Sequence, residues 1–157
     1  FQIKSYPDIN SLDDKYKFDI IRLNWSLEHV HSPSNYFRFI EKNLSNDGIA
    51  IICVPNINGL IYKINPNALE LPVHLYHFDL NILGNYSKKY NLKEKKSLTF
   101  SYPEMYIFAE KIGLICDDFK FSKMSLSSAF NFQRFHTIFD DIGFGNDILL
   151  ILEKDNL

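Results

Sequence analysis

Two apolar, β-branched runs separated by an amphipathic segment limit what this chain of 157 residues can fold into. Residues 18–24 and 49–54 have the length and composition of mostly buried strands. Between them, apolar side chains recur at helical spacing over residues 33–44, and Ser32 before Pro33 is typical of a helix start. A turn is predicted at residues 46–48. Strand, helix and strand over roughly 38 residues predict a βαβ unit with parallel strands, and therefore an α/β fold.

The remaining sequence predicts further alternation of helices and strands. Asp79 is a candidate cap for a helix whose inner face would carry Ile82, Leu83, Tyr86 and Tyr90. The other predicted elements are a short strand at 1–6, an irregular segment at 56–72, helices at 103–112 and 125–141, a turn at 143–146 and a last strand at 147–152. Residues 92–100 and 114–121 are both candidate strands, and their side-chain period does not decide between them.

The composition is that of an ordinary globular chain and argues against several kinds of partner. Hydrophobic residues make up 46% and charged residues 23%, with a formal net charge of -2. This charge gives no basic surface, so nucleic acid is not favoured as a partner. The longest apolar run, residues 49–54, is far shorter than the ~20 residues of a membrane span. Aromatic residues reach 15%, which fits either an aromatic-rich core or an apolar substrate pocket.

The two cysteines bear on the compartment. Cys53 and Cys116 are too few for a disulfide framework, and Cys53 lies in an apolar run, which favours a buried structural thiol. The sequence also has no signal-peptide pattern. A reducing, cytoplasmic setting is the resulting expectation.

Four short segments follow one another in a characteristic order. They are Phe-Asp-Ile-Ile at 18–21 with Leu-Glu-His-Val at 27–30, a leucine–turn–glycine pattern at 43–48 before a strand that ends in Pro-Asn at 55–56, His-Leu-Tyr-His-Phe at 74–78, and a closing strand at 146–154. Together they resemble the class I S-adenosylmethionine (SAM)-dependent methyltransferases, in the branch with the Leu-Glu-His-Val signature. The similarity is good over residues 1–90 and 146–154 and poor over 100–145.

This resemblance implies a partial Rossmann-like, doubly wound sheet whose final strand is antiparallel. It implies a single domain that corresponds to the family from its third strand onward, with a variable helical insertion at about 101–145. The family's glycine-rich cofactor loop and the acidic residue that ends its second strand have no counterpart in this sequence. We therefore expect those strands upstream of Phe1, and weak or no SAM binding by the 157-residue chain.

The implied function is transfer of a methyl group from SAM to a small-molecule, lipid or sugar acceptor. Ligands of open parallel sheets bind beyond the carboxyl ends of the strands. The resemblance thus places Leu23, Asn24 and Trp25 nearest the cofactor, with Glu28 beside them. The Trp25 ring would favour the sulfonium by cation–π attraction, or pack as an ordinary hydrophobic side chain.

Three histidines are the candidate catalytic residues under this resemblance. His74 and His77 precede a helix and would line the acceptor pocket, with either one as general base, or form structural hydrogen bonds to the loop. His29 begins the crossover next to the site with Glu28. This pair either lines the pocket or braces the loop.

A metal site is not predicted. The histidines form two close pairs, but they lack the defined spacing and third ligand of zinc hydrolases. Family members tied to a divalent metal carry a glutamate three residues before the Glu-His pair, where this chain has Trp25. Two other functions stay open: a non-catalytic interaction or remnant domain that does not bind SAM, and a metal-dependent hydrolase.

Overall fold

The computed structural model describes residues 9–13, 15–64, 70–101 and 138–155. In chain order its elements are a 3-10 helix Ile9–Ser11, β1 Phe18–Asn24, α1 Pro33–Asn43, β2 Leu44–Pro55, α2 Leu60–Ile64, α3 Leu80–Lys89, β3 Leu92–Phe100 and β4 Asp147–Lys154. The elements predicted at 1–6, 103–112 and 114–121, Cys116 and most of the 101–145 insertion lie outside the described residues. Residues 138–141, at the end of the helix predicted over 125–141, are helical.

The four strands form one sheet in the order β1-β2-β4-β3. β1 and β2 are parallel, whereas β4 is antiparallel to both β2 and β3. The last strand of the chain therefore inserts between two strands that run in the same direction. The predicted βαβ unit, the α/β fold and the antiparallel final strand are confirmed, and residues 92–100 do form a strand.

Helices α1 and α3 pack together over the hydrophobic core. Phe37 and Ile40 of α1 are fully buried, and the Phe37 ring stacks on Tyr86 of α3 with ring centroids 5.0 Å apart. Asp79 caps α3 as predicted, because its side chain accepts the backbone N–H of Ile82 at 2.7 Å. None of the helices in the described part of the chain has the length and hydrophobicity needed to cross a membrane.

The prediction that β1 is mostly buried is wrong. Of its seven residues only Ile21 is buried, and Ile20 is 62% exposed. β1 ends the described sheet and so has a strand neighbour on one side only. β2 lies between two strands, and Ile52 and Val54 on it are fully buried.

The turn predicted at residues 46–48 is instead a bulge inside β2. Phe18 pairs with Leu44 but Ile20 pairs with Ile49, so the four residues 45–48 of β2 lie opposite a single residue of β1, Asp19. A Cβ on Gly48 would lie 2.9 Å from the carbonyl oxygen of Phe18. Glycine at this position allows the two strands to approach where the extra residues loop out.

Several details of the helices also differ from prediction. Ser32 occupies the N-cap position of α1, but its side chain makes no capping hydrogen bond. Ile82 was expected on the inner face of α3 and is 38% exposed. The buried stripe runs through Leu83, Ser87 and Tyr90, at i, i+4 and i+7, which puts Ile82 on the flank. The segment predicted as irregular contains the short helix α2.

Asn56 ties the end of β2 to the turn before β4. Its buried side chain donates from Nδ2 to the carbonyls of Gly143 at 3.0 Å and Gly145 at 2.7 Å. Its Oδ1 accepts the backbone N–H of Asn58 at 3.1 Å. These bonds hold the first residue of β4, Asp147, in register with the last residue of β2.

Candidate functional site

Trp25 turns the chain at the carboxyl end of β1. Its φ of 41° lies in the left-handed region, and its backbone N–H donates to the carbonyl of Cys53 at 2.8 Å. The indole Nε1 donates to Oδ1 of Asp147 at 2.9 Å, while 40% of the residue remains exposed. The ring is therefore held in place at the edge of the sheet where open parallel sheets bind ligands.

Asp147 is a residue of this region that the sequence analysis missed. It is 1% exposed, and its Oδ2 has no hydrogen-bond partner among the described residues. Burial raises the pKa of Asp147 to about 6, against the lowering effect of the Trp25 hydrogen bond and with a further increase from Glu28. The one signal in the sequence was an acid directly before the apolar run of a buried strand.

Cys53 lies opposite the start of β4 and is buried as predicted. Burial raises the pKa of its thiol to about 12, and the charges of Asp147 and Glu28 raise it further. Such a thiol stays protonated at neutral pH and is no nucleophile. Its role is packing.

The main chain of Glu28 anchors the segment that carries His74. The Glu28 carbonyl accepts the backbone N–H groups of Leu75 at 2.8 Å and Tyr76 at 3.2 Å. The Tyr76 hydroxyl donates to the carbonyl of His31 at 3.0 Å. The Leu-Glu-His-Val segment and the later histidine segment, distant in sequence, are therefore packed against each other.

The Glu28 side chain is buried without a hydrogen-bond partner on another described residue. It is 1% exposed, and neither carboxylate oxygen has a hydrogen-bond partner on another described residue. Nε2 of His29 lies 3.8 Å from Oε1, which is too long for a hydrogen bond. Burial raises the pKa of Glu28, against the lowering effects of its own backbone N–H and of His29.

The three predicted catalytic histidines form a row. The ring centroids of His29 and His74 are 4.8 Å apart and those of His74 and His77 are 6.2 Å apart. Burial lowers the pKa of His74, partly offset by Glu70, whose Oε2 lies 3.3 Å from His74 Nε2. Nε2 of the half-buried His77 has no partner among the described residues. The fold thus brings together residues that the sequence analysis singled out separately.

The residues predicted to bind cofactor divide between two sides of β1. Asn24 and Trp25 line a cavity of about 310 Å³ over one face of the sheet, together with Arg22, Ile51, Cys53, Leu98, Phe100 and Leu149. Leu23 packs against the hydrophobic core, because alternate residues of a strand face opposite sides. Oδ1 of Asn24 accepts a hydrogen bond from Nε of Arg22 at 2.7 Å.

No protein-family model matches the sequence, and no curated protein matches it. Solved structures do match the fold. A SAM-dependent methyltransferase from Archaeoglobus fulgidus superimposes with a TM-score of 0.56 at 19% identity, over 93% of this chain and 63% of that one. A SAM-dependent methyltransferase from Clostridium acetobutylicum gives a TM-score of 0.53 at 12% identity, over 96% and 63%.

A third match comes from a complex with bound ligands. Phosphoethanolamine N-methyltransferase 2 from Haemonchus contortus, with phosphomonomethylethanolamine and S-adenosylhomocysteine, gives a TM-score of 0.56 at 13% identity, over 94% of this chain and 36% of that one. The chain spans about three fifths of the length of the first two structures, at 63% each. With its strand order and its inserted antiparallel β4, the chain has the fold of the class I SAM-dependent methyltransferases.

Proposed function

We propose that this chain supplies the acceptor side of a SAM-dependent methyltransferase that acts on a small-molecule, lipid or sugar acceptor. One observation supports this most: two contacts form just beyond the carboxyl end of β1, Trp25 with Asp147 and His29 with His74, and His74 lies in turn beside His77. Ligands of open α/β sheets bind at this edge.

The residues present fit the positively charged part of SAM. The cofactor, when bound, supplies a methyl group on a sulfonium. Next to the exposed Trp25 ring lies Asp147, which is buried and has one carboxylate oxygen without a partner among the described residues. An aromatic face and a carboxylate both attract a cation. Trp25 and Asn24 are thus our candidates for contact with the cofactor, and Leu23 supports them from the core side.

The histidine row suits the acceptor. Methyl transfer is an in-line displacement, so holding the acceptor in position supplies much of the catalysis. A general base is needed only where the acceptor must lose a proton. His77 is our candidate base, because its buried Nε2 has no partner among the described residues. His29 and His74 would shape the pocket, since each already has a polar neighbour.

SAM binding tests the proposal. Calorimetric titration with SAM and S-adenosylhomocysteine should be run on the product of the complete gene and on the 157-residue chain. We expect binding by the complete product, weaker binding by Trp25→Leu, and little binding by the 157-residue chain. Tyr16→Leu is the control, since Tyr16 is also an exposed aromatic residue but precedes β1.

A lack of SAM binding by the complete gene product would favour the alternative, a methyltransferase-like interaction or remnant domain. Coding sequence ahead of Phe1, where the gene has it, separates the two functions independently. A strand with a glycine-rich turn, followed by a strand ending in an acid, supports the enzyme.

A further inference from the structure

We infer that Glu28, His29 and His74 form a binding site for one divalent transition-metal cation of the zinc class. Each residue offers one ligand atom, and these three atoms lie within 4.8 Å of one another. Two imidazoles and a carboxylate make a donor set that zinc commonly uses. Cation binding at this site can be measured without SAM or an acceptor, so its test is independent of the test of methyl transfer.

The strongest argument is the Glu28 carboxylate. Both of its oxygens are buried with no hydrogen-bond partner on another described residue. A buried carboxylate is very costly unless it is paired or coordinates a metal. The neighbouring Glu70 carboxylate lies 3.3 Å from Nε2 of His74 and adds a second negative charge. A bound cation would offset the buried Glu28 charge, whereas Glu70 is 60% exposed and its charge is already screened by water.

The His29 ring is oriented as a metal ligand would be. Its Nδ1 lies 3.1 Å from the carbonyl oxygen of Val73, and a carbonyl can only accept. Nδ1 therefore carries the proton, which leaves a lone pair on Nε2. That lone pair lies 3.8 Å from Oε1 of Glu28. Ligating histidines commonly donate their other ring N–H to a backbone carbonyl in this way.

The spacing of the three ligand atoms fits a cation if the side chains move slightly toward one another. Ligand atoms of a tetrahedral zinc lie about 3.3 Å apart, given bonds of about 2.0–2.1 Å. The three atoms lie within 4.8 Å of one another, and the exposed ring of His29 has room to move closer to the other two. Three protein ligands leave a fourth position open for water or another ligand.

The sequence conceals this site because its ligands come from two segments. Glu28 and His29 follow β1, whereas His74 precedes α3. Backbone bonds from Leu75 and Tyr76 to the Glu28 carbonyl bring the two segments together. Such N–H groups belong to every residue except proline, so no side-chain spacing signals the contact.

Zinc titration of the 157-residue chain, stripped of metal by a chelator, tests the inference. In competition with a chromophoric chelator we expect one zinc per chain. Glu28→Gln and His74→Asn should each weaken zinc binding by about 100-fold or more, since loss of outer-shell partners alone costs about 10–100-fold. His31→Asn is the matched control, because His31 is exposed and lies outside the cluster.

Thermal unfolding of the same variants guards against misfolding. Glu28→Gln keeps the side-chain size and removes a buried charge, so without metal its Tm should equal or exceed that of the wild type. Zinc should raise the Tm of the wild type and of His31→Asn, but not of Glu28→Gln. The inference is overturned if the stripped chain binds no stoichiometric zinc, or if Glu28→Gln and His74→Asn bind it as the wild type does.

Discussion

The indole N–H of Trp25 donates to the carboxylate of Asp147 over 2.9 Å and across 122 residues of sequence. Trp25 follows β1 and Asp147 begins β4, and these strands are not neighbours, because β2 lies between them. The hydrogen bond therefore spans the end of β2 and links two strands that do not pair with each other. It also ties an exposed site residue to a buried carboxyl group.

The pH dependence of stability should reveal Asp147. Burial raises its pKa from 3.8 to about 6, so the folded chain keeps a proton that the unfolded chain loses. This contribution to stability is complete below pH 4 and is lost as pH rises through 6. Asp147→Asn cannot ionise, so it should raise the free energy of unfolding above pH 6 by up to about 3 kcal/mol and change it little at pH 4.

Urea unfolding at pH 4, 6 and 8 measures this difference, and Asp141→Asn, at an exposed position, is the control. The pKa values of Glu28 and Asp140 are also raised by burial, so the wild-type slope has several sources. The comparison of variant with wild type isolates Asp147. An effect of equal size at all three pH values would contradict the assignment.

Trp25→Phe should destabilise the chain by about 1–3 kcal/mol, because it leaves both oxygens of the buried Asp147 carboxylate without a partner. The loss should be larger at pH 8 than at pH 4, since the charged carboxylate needs the donor more. In the Asp147→Asn background the loss should shrink. A double-mutant cycle from urea unfolding measures this coupling, and a coupling near zero would show that the hydrogen bond adds no stability.

The local part of the fold could be predicted from sequence, because β1 and β2 contain apolar, β-branched runs and α1 carries apolar residues at helical spacing. β3 could not be assigned in this way. Its residues 93–96 are exposed and charged, so this segment is a strand chiefly through its pairing with β4. The same dependence on distant partners explains the missed Asp147, whose hydrogen-bond donor is Trp25. The histidines were identified by resemblance, whereas their grouping depends on backbone contacts of Glu28.

Gly145 should not tolerate a side chain. A Cβ there would lie 2.7 Å from the carbonyl carbon of Thr99 and closer still to the backbone nitrogen of Phe100. These are backbone atoms of β3 that cannot move separately, so Gly145→Ala should cost at least about 2 kcal/mol. Gly84→Ala is the control, because a Cβ at Gly84 in α3 meets nothing within 4 Å. It should stabilise the chain by about 0.5–1 kcal/mol through helix propensity, and thermal unfolding measures both.

Asn56→Asp should destabilise the junction of β2 and β4. The substitution keeps the shape but places a carboxylate oxygen where Nδ2 donates to the carbonyls of Gly143 and Gly145. Oxygen then faces oxygen in a buried site, which should cost about 2 kcal/mol or more. The cost should fall at low pH, where the aspartate can be protonated and donate. Urea unfolding at neutral and at low pH measures this cost. Asn35→Asp, at an exposed position of α1, is the control and should change the midpoint of unfolding little at both pH values.

Turnover should separate the roles of the histidines once the complete gene product and an acceptor are in hand. If His77 is the base, His77→Ala should lower kcat by about 100-fold or more and leave SAM affinity nearly unchanged. His74→Ala should also lower turnover more than SAM affinity, through the shape of the acceptor pocket. His31→Ala is the control. Release of S-adenosylhomocysteine gives the rate, and titration gives the affinity. Equal losses of rate and SAM affinity in His77→Ala would instead assign His77 a structural role, in which it holds the segment before α3.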